Sequence, residues 1–231
     1  MATVDVGGLS MYYEIHGDGE PLVLILGLAT DVSEFPFLIE ALATRFRVLA
    51  FDNRGAGRSD KPDVPYSIEM MADDTVGLMD RVGFEKVRLV GISMGGRIAL
   101  DIALRHRERV SQLTLVSAQA GSRGRVHLSL PMRLVYPLRW LPRSGGKYPQ
   151  PRRAFHAQRA ASLGYDCTAR LGEITAPTLI LHGRRDRTAP FSAAELMQQR
   201  IPGAQLVPFA GGHLFFLLAG RRRFLDVLTR A

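Results

Sequence analysis

The chain has 231 residues, 46% of them hydrophobic and 23% charged, which suits one domain with a sizeable core, or one domain with an insertion, and excludes wholesale disorder. Cys167 is the only cysteine, so a disulfide framework and a cysteine-rich zinc site are excluded and a reducing, cytoplasmic setting is expected. The net charge of +8 is local: the 57 residues between Glu108 and Asp166 hold ten basic residues and no acid, leaving 20 basic against 22 acidic residues elsewhere, and a general affinity for nucleic acid is not expected.

Strand-like and helix-like segments alternate, which predicts an α/β fold with a mostly parallel sheet flanked by helices. Residues 4–6 and 9–16 read as paired strands joined at Gly7-Gly8. Residues 21–27 form a continuous apolar run, as in a strand buried on both faces. A helix is expected over 34–44 and a strand over 47–52. Ser67 is placed to cap a helix that runs to about Arg81, with Asp73 and Asp74 on its polar side and Gly83 as its stop. Strand 86–92, helix 94–106 and strand 110–117 follow.

The alternation then lapses from about Ala118 to Gly172, a stretch rich in Arg, Pro and Gly. It resumes with strand 178–183, helix 192–200, strand 205–209 and a final helix from about Leu214. The irregular stretch is too long for a simple connection. The expected organisation is therefore a core of 1–117 and 173–231 with a small cap or lid at 118–172. Residues 22–29 are too short an apolar stretch to span a bilayer. Residues 1–5 show no basic region leading into an apolar run, so no signal peptide is expected.

The chemistry begins at Gly91-Ile92-Ser93-Met94-Gly95-Gly96, where a strand gives way to a helix. A serine on so sharp a turn needs small neighbours where other chain passes close by, and the turn thrusts its hydroxyl clear of the sheet. A hydroxyl becomes a useful nucleophile only when a base takes its proton and an acid fixes that base's tautomer. Asp186 lies on the loop after strand 178–183, and His213 follows Gly211-Gly212 after the next strand. Both fall at strand C-terminal ends, where ligands gather in open α/β sheets. The remaining histidines sit elsewhere: His16 in an early turn, His106 at a helix end, His127 and His156 in the irregular stretch, and His182 at the end of its strand. An oxyanion needs two donors, for which the backbone N–H groups of Met94 and Leu28 are the candidates, Gly27 letting the chain turn before Leu28.

These motifs resemble the α/β-hydrolase fold superfamily, close to its small esterase, enol-lactonase and carbon–carbon hydrolase branch. Asp52-Asn53-Arg54-Gly55-Ala56-Gly57-Arg58-Ser59 is similar to that family's D-x-R-G-x-G-x-S loop, and reads locally as turn chemistry, structural in role. The resemblance implies a catalytic triad of Ser93, Asp186 and His213, an oxyanion hole at Leu28 and Met94, and no metal or organic cofactor. It implies hydrolysis of a small to medium carboxylic ester, with enol-lactone or carbon–carbon bond cleavage by the same triad as the alternative. A non-catalytic binding protein is the reading from a different class. Leu26-Gly27 stands where the family often has His-Gly, which leaves a backbone donor in place. Serine at position 93 argues against the epoxide hydrolases and dehalogenases of this fold, whose nucleophile is Asp. Neither a complete dinucleotide fingerprint nor a His-Glu-x-x-His motif is present.

Within the irregular stretch, Val126, Leu130, Leu134 and Trp140 are expected to form an apolar wall for the acyl group. Arg133 and Arg139 are expected to be solvated, with weak contact to anionic surfaces as their further reading. Pro131, Pro137 and Pro142 argue against one long membrane-surface helix there.

Overall fold

The apolar runs assemble into an eight-stranded sheet in the computed structural model, which describes residues 2–121, 147–217 and 220–230. In chain order the strands are β1 (Ala2–Val6), β2 (Leu9–His16), β3 (Glu20–Ile25), β4 (Phe46–Phe51), β5 (Val87–Ile92), β6 (Val110–Val116), β7 (Thr178–Gly183) and β8 (Gln205–Phe209). Their order across the sheet is β1-β2-β4-β3-β5-β6-β7-β8. The β1–β2 and β2–β4 pairings are antiparallel, and the pairings from β4 to β8 are parallel.

The helices are α1 (Pro36–Ala43), α2 (Ile68–Arg81), α3 (Met94–Arg105), α4 (Arg152–Gly164), α5 (Phe191–Arg200) and α6 (Arg221–Arg230). Strand side chains alternate between two cores, as a parallel sheet covered on both faces requires. Val23, Ile25, Leu49, Phe51, Leu89 and Leu115 pack with α2, α3 and α5 on one face. Leu22, Leu24, Val48, Ala50, Val90 and Leu181 pack with α1 and α6 on the other.

Most elements lie within a residue or two of their expected bounds, and the differences have local causes. β3 pairs with β5 only as far as Ile25 opposite Gly91, so Leu26 and Gly27 already belong to the loop that leaves the sheet. α1 begins at Pro36, which occupies its first turn, after a short 3₁₀ turn whose N-cap is Asp31. Ser67 caps α2 by accepting the Met70 N–H at 3.1 Å, as expected. Asp74, expected on the polar side of α2, instead turns inward and pairs with Arg54 through two bonds of 2.5 and 2.6 Å. The last helix starts later than expected: Phe215–Leu217 form a 3₁₀ turn and α6 starts at Arg221, while Phe209, Phe215, Phe216 and Phe224 form one ring cluster.

The expected cap segment also contains an ordered helix that the sequence pattern did not announce. α4 buries Ala154, Phe155, Gln158 and Ala161, a helical stripe with a single large apolar side chain. The two ends of this segment meet where Gly121 pairs with Asp166 and the Cys167 N–H bonds the Ala120 carbonyl at 3.0 Å. The buried Cys167 thiol is pushed up to about 11, mainly by burial. Among the described residues, no helix is long and apolar enough to cross a membrane.

The adjacent acids of α2 provide a test of this packing. Removing Asp74 strands the Arg54 guanidinium in a largely buried setting, so Asp74→Ala is expected to cost about 3 kcal/mol in urea unfolding. Asp73 is exposed in its pair with Arg105, and Asp73→Ala is expected to cost less than about 1 kcal/mol.

Candidate active site

Ser93 stands between the last residue of β5 and the first of α3 with φ 56° and ψ −112°. A non-glycine residue in that region is strained, and the surroundings leave it no alternative. A Cβ on Gly91 would lie 2.5 Å from the Gly95 carbonyl oxygen, and one on Gly95 would collide with the Ile25 carbonyl. The strand and the helix therefore approach as closely as backbone allows, and the serine takes up the whole change of direction. The start of α3 lies directly behind it, with helix N–H groups that have no intrahelical acceptor.

The loops after β7 and β8 bring two more groups to this point. His213 Nε2 lies 2.9 Å from Ser93 Oγ, and His213 Nδ1 lies 2.7 Å from Asp186 Oδ2. A carboxylate only accepts, so Nδ1 carries the imidazole proton and Nε2 is left to accept the serine hydroxyl. Asp186 and His213 are buried, while Ser93 remains partly accessible. The other carboxylate oxygen of Asp186 accepts the N–H groups of Thr188 at 2.8 Å and Ala189 at 3.0 Å. Burial alone would raise the Asp186 carboxyl, but bonding from His182 and His213 and the backbone N–H groups hold it at about 2. The three residues singled out in the sequence thus converge, in the chain order Ser93, Asp186, His213.

Two positioning side chains were not read from the sequence. His182 is fully buried in β7; its Nε2 donates to the Ala189 carbonyl at 2.8 Å and lies 3.4 Å from Asp186 Oδ2. It ties down the turn that carries the acid, and its spacing four residues before Asp186 was the available clue. Ser117, at φ 48° after β6, donates its hydroxyl to the His213 carbonyl at 2.8 Å. Nothing in an apolar strand ending in serine signals that contact.

The loop after β3 passes beside the nucleophile: a Cβ on Gly27 would lie 3.4 Å from that of Ser93. Leu28 is the next residue of this loop. The Asp52–Ser59 loop holds this segment at both ends. Asn53 Nδ2 donates to the Leu26 carbonyl at 3.1 Å, and Asp52 accepts the Val32 N–H at 2.8 Å. Asp52 also accepts the Arg58 N–H at 2.8 Å, and Ser59 Oγ donates to the Asp52 carbonyl at 2.6 Å. Burial raises the Asp52 carboxyl despite these donors. The expected structural role of the loop has this physical content. Val126, Leu130, Leu134 and Trp140, expected as the acyl wall, lie outside the described residues. No group of His, Cys, Asp and Glu among the described residues has the arrangement of a metal site.

The chain also has relatives among known proteins. Residues 20–162 match the alpha/beta hydrolase fold family. A Caulobacter segnis protein named carbamate hydrolase RutD is 31% identical, with 93% of each chain covered. A protein of Ectopseudomonas oleovorans named poly(3-hydroxyalkanoate) depolymerase is also 31% identical, with 85% of this chain and 79% of that protein covered. The structure of Est816, described as an N-acyl homoserine lactone degrading enzyme, superposes with a TM-score of 0.85 at 26% identity, covering 98% of each chain.

The depressed Asp186 carboxyl has a thermodynamic consequence. A folded value of about 2 against an ordinary 3.8 stabilises the fold by about 2 kcal/mol wherever the unfolded chain is ionised. The advantage of wild type over Asp186→Asn in urea unfolding is therefore expected to be complete above about pH 4 and to vanish as pH falls through 2. An advantage that grows on acidification would contradict an ionised Asp186.

Proposed function

The chain belongs to the alpha/beta hydrolase fold family, and from that premise we propose that it is a serine hydrolase cleaving a carboxylic ester of small to medium size through an acyl-enzyme on Ser93. The observation that carries the reading is the continuous relay of Ser93 Oγ, His213 and Asp186 at 2.9 and 2.7 Å. His213 Nε2 takes the hydroxyl proton as Ser93 Oγ attacks the acyl carbonyl. Asp186 stays ionised, keeps the proton on Nδ1 and stabilises the imidazolium. The N–H groups of Met94 and Leu28 receive the negative charge that develops on the carbonyl oxygen. The imidazolium then protonates the leaving alcohol, and water deacylates Ser93 by the same proton path in reverse. The segment 118–172 serves as the cap over the acyl group.

Lactone hydrolysis is the second reading, favoured by the likeness to Est816. A lactone is a cyclic ester, so the same groups act and only the fate of the leaving alcohol differs. Relatives named for carbamate hydrolysis make carbamates the third class to compare. A panel of p-nitrophenyl esters of graded acyl length, lactones and carbamates would rank the three by kcat/KM.

Ser93→Ala is expected to lower kcat by roughly 10⁴ to 10⁶ on the best ester while leaving the fold intact. A folded variant with near-native turnover would overturn the reading. Covalent labelling by a fluorophosphonate probe separates an enzyme from a binding protein of this fold: wild type is expected to label at Ser93, and failure to label would favour binding.

A further inference from the structure

Gln158 is fully buried on α4, within the segment between β6 and β7, yet it bonds backbone outside that segment as well as Gln150 within it. Its Oε1 accepts the backbone N–H of Ala29 at 3.1 Å and the side chain of Gln150 at 2.9 Å. Its Nε2 donates to the Arg54 carbonyl at 2.8 Å, and Gln150 Nε2 also donates to the Gly55 carbonyl at 2.7 Å. α4 itself is fastened to the nucleophile's helix, because Arg97 of α3 bonds Ser162 and the Gln119 carbonyl. One buried amide therefore touches the loop after β3 and the loop after β4 at once.

The point of contact on the β3 loop is specific. Ala29 has φ 58°, a left-handed conformation that costs an alanine roughly 1–2 kcal/mol and persists only when its surroundings enforce it. It follows Leu28 directly, so one pair of backbone angles links the bonded Ala29 N–H to the Leu28 N–H. Elsewhere the loop is held at its ends, by Asn53 at Leu26 and by Asp52 at Val32, and within itself by Thr30 Oγ1 on the Gly27 carbonyl at 2.9 Å. Gln158 comes from outside the loop and bonds its middle, at Ala29.

We propose that Gln158 is a positioning residue for the oxyanion hole: by holding Ala29 in its left-handed conformation it aims the Leu28 N–H, and so makes the cap helix part of the machinery that stabilises the transition state. This rests on the serine-hydrolase reading above. The cap then acts on the chemical step as well as on the choice of acyl group. A fully lost oxyanion donor costs about 10²–10³ in kcat, so a misaimed one should cost a fraction of that.

The test compares wild type with Gln158→Met, which keeps the volume and loses every bond, and Gln158→Asn, which keeps the amide but withdraws it from Ala29. Each is expected to lower kcat on a p-nitrophenyl ester by about 10- to 100-fold, with KM within about threefold and the pH profile unmoved. Affinity for a boronic acid transition-state analogue should fall in parallel. Adding Ala29→Gly to Gln158→Met should recover part of the lost kcat, since glycine adopts the left-handed conformation without strain; loss of α4 packing alone would not be rescued in this way. If Gln158→Met does not fold, Gln158→Asn decides. Folded variants with wild-type kcat, or a loss confined to KM, would overturn the proposal while the hydrolase reading stands. A wild-type protein that neither turns over the panel nor labels at Ser93 would overturn both.

Discussion

The close approach of β5 to α3 is the constraint from which the rest of this structure follows. Gly91 and Gly95 let the strand end and the helix start pack nearly in contact, and Ser93 absorbs the turn at φ 56°. Such strain persists only where packing on both sides over-determines it. Here β5 is paired on both edges, by β3 and β6, and α3 is buried along most of its length. The same turn fixes the hydroxyl above the C-terminal edge of the sheet. The groups that meet Ser93 come from loops at that edge: Asp186 and His213 lie on those after β7 and β8.

Around this point the protein spends its buried polar groups on backbone. Ser117 holds the His213 carbonyl, His182 holds the Ala189 carbonyl in the acid turn, and Asn53 and Asp52 hold the ends of the β3 loop. Each bond leaves an apolar core uninterrupted while fixing a loop that carries no regular structure of its own. A buried side chain with satisfied polar atoms is a rigid spacer, and a site built from separate loops needs several. Gln158 belongs to the same set, with the difference that it comes from the chain segment where the basic residues are concentrated.

The sequence was most legible where one element dictates its own pattern. The run over 21–27 is apolar on both faces because a parallel core strand must be, and the G-x-S-x-G turn names its serine because only glycines fit there. Asp186 and His213 were readable from their places after strands. What escaped was set by partners far away in the chain. Asp74 looked like a surface acid because its partner Arg54 lies in a loop of no helical period. α4 was hidden because its buried stripe of Ala154, Phe155, Gln158 and Ala161 carries little apolar signal, and its central polar residue is buried for its hydrogen bonds. Ser117 and His182 act through carbonyl groups, which no side-chain pattern records.

The central claim is that Ser93 carries the acyl group during turnover. Mixing the protein with a slowly deacylating p-nitrophenyl ester, quenching in acid and mapping the adduct by mass spectrometry addresses it directly. The account predicts a mass increase equal to the acyl group, on the peptide containing Ser93, forming no more slowly than p-nitrophenol is released in the first turnover. Multiple turnovers with Ser93 unmodified throughout, or with the acyl group on another residue, would contradict it.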